Sequence, residues 1–434
     1  MAHKVYLLLL SFYSALCVSG QPIYHPIGAA TTLGSVTNIR SLSSSLANPA
    51  SSLLMFDDNE WRDSPKGQFR FGLIGPGGVG VEVGDLDSLS DEMDGLESAL
   101  DDTDLTYNEA VAVQAQYNAF LDNAGEQGYA KVSTAGYVPA FPILYRHPRY
   151  GTFSFDLTLA GEMKMLVLDD DIDVVVNGSD VSLETDSSVY SQTALAGVFG
   201  IGFSRQVLRL QQGRLILGSK LNVTRMKLTR SVSTIENLDD DASLEESEKF
   251  SNNYGLDVGA IWVTPNTLLG ARVINLNEPR YRYGSLGKDC SLKSGIAQVN
   301  CNVVATFVDS GDLAYRQTYV AERQLSLEAS ASLVKRQWSI QTSLDVNPVA
   351  DAVEDEYQWF VASASHLGDS PWLPGFRIGY SKNLAGSKLD YMNLGVTLFQ
   401  RANLDIGWAL ETVEVDGKNM PRALFVNLGL ETAF

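Results

Sequence analysis

The sequence predicts an all-β fold: a transmembrane antiparallel β-barrel of about 14 strands, with an N-terminal plug and an inserted helical hairpin. The C-terminal segment 423–434 alternates between apolar and mixed residues and ends on Phe434. Because successive side chains of a strand point to opposite faces, one face of this segment is nearly apolar. The same alternation recurs along the chain, and the N-terminus has the pattern of a secretory signal. A soluble sheet can produce the alternation, but the two termini together favour a barrel in lipid.

The N-terminal segment 1–20 is predicted to be a signal peptide. Lys4 precedes a short apolar core at 5–18, and small residues precede a cleavage site before Gln21. Cys17 could suggest a lipoprotein, but the residue before it is larger than such a site needs. A signal followed by a barrel predicts the outer membrane of a Gram-negative bacterium. The expected partners are then outer-membrane lipid and the barrel-assembly machinery.

The balance of charges and the cysteine count limit the classes of function. The chain has 32 Lys and Arg against 52 Asp and Glu, a net charge of −20, which argues against a nucleic-acid partner. Once the signal is removed, Cys290 and Cys301 remain. In an oxidising compartment this close pair predicts a loop disulfide, with two free thiols as the alternative. Because there is no CxxC motif, thioredoxin-like thiol chemistry has no support.

The sequence shows no arrangement of catalytic or metal-binding residues. Apart from His3 in the signal, the histidines are His25, His147 and His366, and none has a partner at metal-site spacing. No glycine-rich phosphate loop opens a helix after a strand, and no motif pairs a nucleophile with a base. We therefore expect no metal, no cofactor and no enzymatic activity.

Alternating segments separated by turn signals predict fourteen strands. They are predicted at 66–83, 129–147, 151–166, 190–206, 214–230, 253–264, 268–277, 317–333, 337–347, 356–366, 375–383, 390–399, 403–413 and 422–434. Connections after even-numbered strands are mostly short, whereas those after odd-numbered strands are mostly long and polar. Short turns at one end and long loops at the other are typical of bacterial barrels, which usually have an even strand number. The chain is thus divided into the signal 1–20, a leader or plug 21–65, and the barrel 66–434.

One stretch breaks the period of two and predicts a helical hairpin inserted at 85–125. Its first half carries apolar residues three and four positions apart, which is one face of a helix. Thr106 and Glu109 form a capping box that opens the second helix, and Gly125 is placed as its C-cap. The acidic stretches 169–173 and 239–248 lack the ligand spacing of an EF-hand. We interpret them as solvated loops, with calcium binding as the alternative.

Four aromatic residues are predicted to mark the two membrane interfaces. Trp262 and Trp338 are near short turns, and Tyr357 and Trp359 are near a long loop. Aromatic girdles of barrels occupy these positions. In a soluble sheet the same residues would belong to the core.

The leader and the hairpin resemble two related groups of outer-membrane barrels. Segments 28–30, 35–36 and 46–50, the last containing Asn48-Pro49-Ala50, resemble the inward-folded leader of FadL-type fatty-acid channels and PorV-like barrels. The whole mature chain is more similar to the barrel family called conjugal transfer protein TraF. That resemblance is carried by the acidic hairpin and by the stretches 128–132, 234–241 and 275–279. The thioredoxin-like periplasmic TraF of the F plasmid is a different protein, which this chain does not resemble.

The resemblance implies a non-enzymatic outer-membrane barrel in conjugative transfer or in envelope and surface assembly, with transfer or surface proteins as partners. The alternative it implies is a FadL-like channel for uptake of hydrophobic small molecules. In either case Leu46, Asn48, Pro49 and Ala50 are the expected plug or ligand residues. Leu46 and Ala50 would be apolar lining, and Asn48 would bind backbone groups inside the lumen. Whether this leader lines a ligand path or only seals the barrel stays open at this point.

Overall fold

The computed structural model describes residues 26–37, 46–56, 68–84, 89–100, 105–178, 180–237, 244–247, 249–333, 337–366, 372–399, 401–415 and 417–430. The predicted signal peptide 1–20, the end of the last strand with Phe434, and parts of the leader lie outside the described residues. Among the helices that are described, none is long and apolar enough to cross a membrane.

Fourteen antiparallel strands form one closed ring. In chain order, β1 to β14 are Ile74–Val83, Tyr129–Tyr137, Gly151–Leu168, Ser188–Leu210, Gly213–Thr234, Ser251–Val263, Thr267–Ile274, Gln324–Leu333, Trp338–Asp345, Trp359–His366, Gly375–Asn383, Asp390–Leu398, Ala402–Ala409 and Ala423–Leu430. Each strand pairs with its neighbours in the chain, and β14 pairs with β1, where Asn427 faces Gly78. The prediction of a fourteen-stranded barrel is confirmed.

Side chains alternate between lipid and lumen along each strand. On β5, Leu221 and Val223 are exposed on the outside, whereas Lys220, Asn222 and Thr224 are buried inside. The polar inner face and apolar outer face are those of a transmembrane barrel and not of a soluble sandwich. This alternation explains why the sequence pattern could locate the strands.

The barrel wall is much taller on one side. β3, β4 and β5 have 18, 23 and 22 residues, whereas β9, β10, β13 and β14 each have 8. Since about 9–11 residues cross a membrane, roughly half of each tall strand extends past it. The predicted segment 190–206 ended too early because a register shift between Gln206 and Leu208 breaks the alternation, and 214–230 ended too early because Ser231 and Ser233 make the outward face polar.

The second strand is interrupted. β2 ends at Tyr137, and the chain returns to pair with β3 at Ile143–His147, so that 138–142 form a bulge. The bulge stays hydrogen-bonded to both neighbours, because Val138 N–H donates to Leu157 O at 2.9 Å and Gly72 N–H donates to Pro142 O at 3.1 Å. The predicted continuous strand 129–147 is wrong at this point.

An outer subdomain packs on the tall wall. It consists of α1 (Leu89–Leu100), α2 (Tyr107–Gln127) and the strand pair Asp173–Asn177 and Asp180–Glu184. Thr106 and Glu109 make the capping box. The assignment of Gly125 as C-cap is wrong: α2 continues to Gln127, and Gly128 N–H donates to Ala124 O at 2.8 Å. Gly125 is required for another reason, since a Cβ there would overlap the Asp169 carboxylate.

Two loops close the same end of the barrel. The loop 275–323 contains α3 (Ile296–Ser310), which the sequence did not predict, and the disulfide between Cys290 and Cys301. The loop 346–358 contains a short ladder between Val349–Ala350 and Glu356–Tyr357. Both loops bury residues against the inner wall. The predicted disulfide is present, and both loops are more structured than the predicted polar connections.

The aromatic positions agree with the girdle prediction on one side only. Trp338 is 48% exposed on the outer wall, and Trp262 alternates with the buried inward residue Ile261. Trp359 instead packs within the lumen, with its ring 5.5 Å from that of Tyr391. Tyr357 lies in the inward loop. These two were assigned to the interface wrongly, because closeness to a long loop does not reveal that the loop folds inward.

Candidate functional site

The described parts of the leader lie inside the barrel. A short helical turn, Ala30–Leu33, contacts β10 to β13, and a 3₁₀-helix, Pro49–Met55, contacts β3 to β6 on the opposite wall. Nearly all residues of 28–37 and 46–56 are buried. The two described segments of the leader therefore lie against opposite walls of the lumen. We take this filled lumen as the candidate functional site.

Asn48 is the most highly connected of the predicted leader residues. Its side chain is 1% exposed and caps the 3₁₀-helix by accepting a hydrogen bond from Ala50 N–H at 3.0 Å. Its amide nitrogen donates to Glu328 Oε1 at 2.7 Å and to Ala271 O at 3.4 Å. Pro49 occupies the first helical position, where the missing N–H costs nothing. The segment is thereby preset as a turn and attached to the wall at its first residue.

Glu328 and Arg272 are the anchor points on the wall. The Glu328 carboxylate accepts from Asn48, from the Thr37 hydroxyl at 3.0 Å, and from the Thr37 backbone N–H. On the neighbouring strand, Arg272 donates to Ala47 O at 2.7 Å and to the Ser35 hydroxyl at 2.8 Å. Because hydrogen bonds to charged groups are stronger than neutral ones, these contacts hold the leader firmly at mid-wall.

Two wall glycines allow the leader to approach closely. A Cβ at Gly218 would overlap the backbone of Pro49 and Ala50, and a Cβ at Gly259 would overlap the Asn48 side chain. Both glycines lie on neighbouring strands and face each other in the β5–β6 register. The wall is therefore shaped to receive the Asn48-Pro49-Ala50 segment.

Apolar contacts complete the seat of the 3₁₀-helix. Ala50 is fully buried and clusters with Leu53, Leu54, Ile216, Ile261 and Leu268. Leu46 is 6% exposed and packs with Phe56 and Leu144 on another part of the wall. Leu46 and Ala50 thus contact different surfaces, and their roles as a ligand path stay a prediction.

The first helical turn is attached to the other side of the lumen. The Thr32 hydroxyl donates to Asp405 at 2.6 Å, and Asp405 also pairs with Arg377 at 2.8 Å. Gly28 N–H donates to the Asn427 side-chain oxygen at 3.0 Å, whose amide donates to Thr31 at 2.7 Å. Both described segments of the leader are thus held by buried polar groups of the wall.

A second closure lies nearer the loop end. Lys131 pairs with Asp351 at 2.6 Å, Asp355 at 2.9 Å and Glu162 at 3.2 Å, and Lys164 pairs with Asp355 at 3.3 Å. Burial would raise the pKa of the Asp355 carboxyl, but Lys131 and Lys164 outweigh burial and hold that pKa below its ordinary value. Since Asp351 and Asp355 belong to the loop 346–358, these ion pairs fix the loop inside the barrel.

Arg230 fixes the longer loop. Its guanidinium is 1% exposed and donates to the backbone oxygens of Gly284, Ala314 and Tyr315 at 2.6–3.2 Å. An Arg side chain offers five donors, so it can hold several carbonyl groups at once. The loop 275–323 is therefore tied to the tall wall from within.

Between the two closures lies an apolar layer. It contains Met226, Leu228, Tyr281, Tyr283, Tyr319 and Val353, with Ile27 of the leader packed against it. These residues come from the wall, both loops and the leader. The layer joins the two closures into one packed interior.

A separate groove lies on the lipid side of the wall. It has a volume of about 690 Å³, is lined by residues that include Leu269, Ala329, Ile340, Ala362 and Ile378, and its lining is apolar. It arises where alanines stand between larger outward residues. Because it faces lipid, we treat it separately from the lumen.

Sequence reasoning missed the wall residues of this site. Lys131, Glu162, Arg272 and Glu328 are charges within otherwise apolar alternating segments, and this was the available signal. Their partners could not be read from the sequence, because they depend on how the leader and loops fold back. Among the described residues, no group of three or more His, Cys, Asp or Glu is arranged to hold a metal.

The closed ring, the apolar outer wall and the filled polar lumen define a transmembrane β-barrel of the outer-membrane type. The chain belongs to the family described as "F plasmid transfer operon, TraF, protein", whose model matches residues 45–345. The family resemblance predicted from the sequence is thereby confirmed, and the described fold is a barrel, not a thioredoxin fold. No curated protein matches the chain.

Solved structures that are similar to this chain include other barrels. A Pseudomonas aeruginosa FadL homologue is 11% identical, with 96% of this chain and 98% of that chain covered and a TM-score of 0.41. The Ralstonia pickettii toluene transporter TbuX is 11% identical, with 95% and 98% covered and a TM-score of 0.43. Outer-membrane phospholipase A from Escherichia coli is 10% identical, with 88% and 96% covered and a TM-score of 0.25. These likenesses are too distant to assign a function.

Proposed function

We propose that this protein is a non-enzymatic barrel of the Gram-negative outer membrane that is closed at rest and serves as a platform for surface assembly in conjugative transfer. The observation that carries the proposal is the double closure of the lumen. The leader is held at mid-wall by Glu328 and Arg272, and the loop 346–358 is held by Lys131. A conduit for solutes would not need two sets of buried polar attachments. Membership of a family named for a transfer operon supports the assignment to transfer.

The outer subdomain supports the idea of a platform. It has a hydrophobic core of its own, to which Leu96, Leu121 and Ile172 contribute, and it packs on strands that extend past the membrane. The segment 85–127 contains twelve acidic residues and no Lys, Arg or His. A folded, strongly charged unit outside the wall is available for contact with other surface proteins.

The test removes the platform and keeps the barrel. In the test variant, a short turn replaces residues 89–127 between β1 and β2. It should still fractionate with the outer membrane and fail to restore transfer to a strain that lacks the gene. The double variant Cys290→Ser/Cys301→Ser, which leaves the hairpin intact, is the matched control and should restore transfer. Normal transfer with the folded hairpin-deleted barrel would contradict the proposal.

A second candidate is a channel for hydrophobic small molecules. The observation in its favour is the apolar layer around Tyr281, Tyr283 and Tyr319, which lies within the lumen beside the leader. If this layer opens to a ligand, the purified barrel should bind a fluorescent long-chain fatty acid saturably. Leu46→Asp would place a charge next to an apolar cluster, and Asn48→Ala would remove hydrogen bonds of about 1 kcal/mol each. Weaker binding in both variants would favour the channel; absence of saturable binding to the parent would remove it.

A further inference from the structure

The outward face of the tall wall changes from apolar to cationic within one step of two residues. Phe199, Val223 and Tyr254 stand side by side in the register of β4, β5 and β6 and are 38%, 46% and 60% exposed. The next outward residue along β5 is Arg225, which faces Asn252 of β6. This step marks the edge of the apolar band at the loop end of the barrel.

Five cations gather at this edge, and we name them the outer cationic belt: Arg225, Lys227, Lys249, Arg280 and Arg282. Lys227 is the next outward residue after Arg225 on the same strand. Lys249 immediately precedes Phe250, whose ring lies 4.7 Å from the guanidinium carbon of Arg225. The wall members of the belt are thus grouped around one aromatic ring.

The loop members of the belt, Arg280 and Arg282, lie at the same edge of the apolar band. The side-chain amide of Asn253 donates to the backbone oxygen of Arg280 at 3.1 Å. Tyr281 is buried in the lumen, whereas Arg280 and Arg282 on either side of it are exposed. Asn253 follows Asn252, the partner of Arg225, so the loop and wall cations lie at one level.

The belt is not neutralised by the part of the protein that the structure describes. None of the five cations forms a salt bridge with a described residue. Glu278, two residues before Arg280, pairs with Arg323 at 3.0 Å instead. In a chain with a net charge of −20, a group of unpaired cations at one level calls for an anionic partner.

The position of the belt identifies the partner as a lipid headgroup. The other edge of the band lies at the turn end of the same wall, where Trp262 of β6 faces Leu215 of β5. The ten steps along the strand from Leu215 to Arg225 span roughly 33 Å, which is about 25 Å along the normal at a tilt of ~40°. That approximates the height of an outer-membrane apolar band. Cations just outside such a band lie at the depth of lipid phosphates.

We propose that the outer cationic belt binds the phosphate groups of an anionic glycolipid in the outer leaflet. The inference goes beyond the platform function and depends only on the location and orientation proposed with it. The guanidinium groups of Arg225 and Arg280 would pair with phosphate oxygens. Phe250 and Tyr254 would contact the sugar and the first acyl carbons beneath. The barrel would thereby be ringed by ordered lipid on its tall side.

The test measures lipid binding to the purified barrel by native mass spectrometry in neutral detergent. The two probes are bisphosphorylated lipid A and the same lipid with both phosphates removed. Arg225→Gln/Arg280→Gln should weaken binding of the phosphorylated lipid about tenfold and leave the dephosphorylated lipid unaffected. The matched control, Arg205→Gln/Arg209→Gln, removes the same charge from the other edge and should change binding less than about twofold.

Three results would overturn the proposal. The first is unchanged binding of phosphorylated lipid A to Arg225→Gln/Arg280→Gln. The second is an equal loss for the dephosphorylated lipid, which would show that the variant damaged the apolar wall. The third is full competition by millimolar inorganic phosphate, which would assign a free-anion site instead. Because the assay uses isolated protein, it does not depend on transfer, so the two proposals can fail separately.

Discussion

At the scale of single residues, polar groups that face the lumen hold this barrel closed. Glu328 lies within a membrane-spanning strand, yet it accepts hydrogen bonds from Asn48 and from both donors of Thr37. A buried carboxylate without partners would be costly, and the hydrogen bonds from the leader offset the burial of Glu328 in the wall. The sequence indicated Asn48 through its resemblance to other leaders, but it could not identify Glu328 as the partner.

The glycine at 218 offers a test of how tightly the leader fits. Gly218→Ala would place a methyl group against the backbone of Pro49 and Ala50, where no flexible side chain can yield. Overpacking of this kind costs roughly 1–3 kcal/mol, so hydrogen exchange of the leader amides should become about fivefold faster or more. Gly77→Ala is the matched control, since its Cβ would make only ordinary contacts, at 3.4 Å. Equal exchange in the two variants would show that the leader is not seated on this wall.

Lys131 offers a test of the second closure. Lys131→Met would leave Asp351, Asp355 and Glu162 without their shared cation. Removal of one partner from a buried ion pair costs about 3–5 kcal/mol, so the loop 346–358 should become sensitive to protease. The control Lys164→Met removes one ion pair, at 3.3 Å with Asp355, and a cation–π contact with Tyr129, and it should have a smaller effect. A loop that resists protease equally in both variants would contradict the role given to Lys131.

At the scale of elements, the sequence predicted the repeated strands and missed the helix and the loop that fold back onto the barrel. The period of two located all fourteen strands because lipid and lumen impose opposite polarity on the two faces. The helix Ile296–Ser310 was missed because it is rich in β-branched residues, which have low helix propensity, and because the cysteine pair suggested an irregular loop. The inward course of the loop 346–358 depends on Lys131, more than 200 residues away, so no local sequence pattern can predict it.

The disulfide stabilises one loop and is not part of the barrel wall. Cys290→Ser/Cys301→Ser should loosen α3 and its loop by roughly 2–3 kcal/mol in the chain-entropy model. The barrel should stay folded, because its ring of strand pairs does not include these residues. Faster hydrogen exchange confined to residues 285–315 would agree with this prediction, provided that the folded barrel still migrates differently in detergent gels before and after boiling. Loss of the folded barrel band would contradict it.

At the scale of the whole molecule, the fold predicts where the protein is found. A closed ring with an apolar outer face should fractionate with the outer membrane and migrate differently in detergent gels before and after boiling. The tall wall and its subdomain should be cleaved by protease added to intact cells, whereas the short turns should not. Recovery in the soluble periplasmic fraction would contradict the barrel in lipid.

The central claim is that the leader and the inward loop together close the lumen. The most direct test is single-channel conductance in planar bilayers, with the parent protein, a variant lacking 26–56, and that variant combined with Lys131→Met. We expect the parent to be silent, and the combined variant to conduct steadily, because fourteen strands enclose more space than their own side chains fill. The leader deletion alone should conduct less than the combined variant, since the loop still closes the outer end. Steady conductance by the parent, or silence of a folded combined variant, would contradict the account.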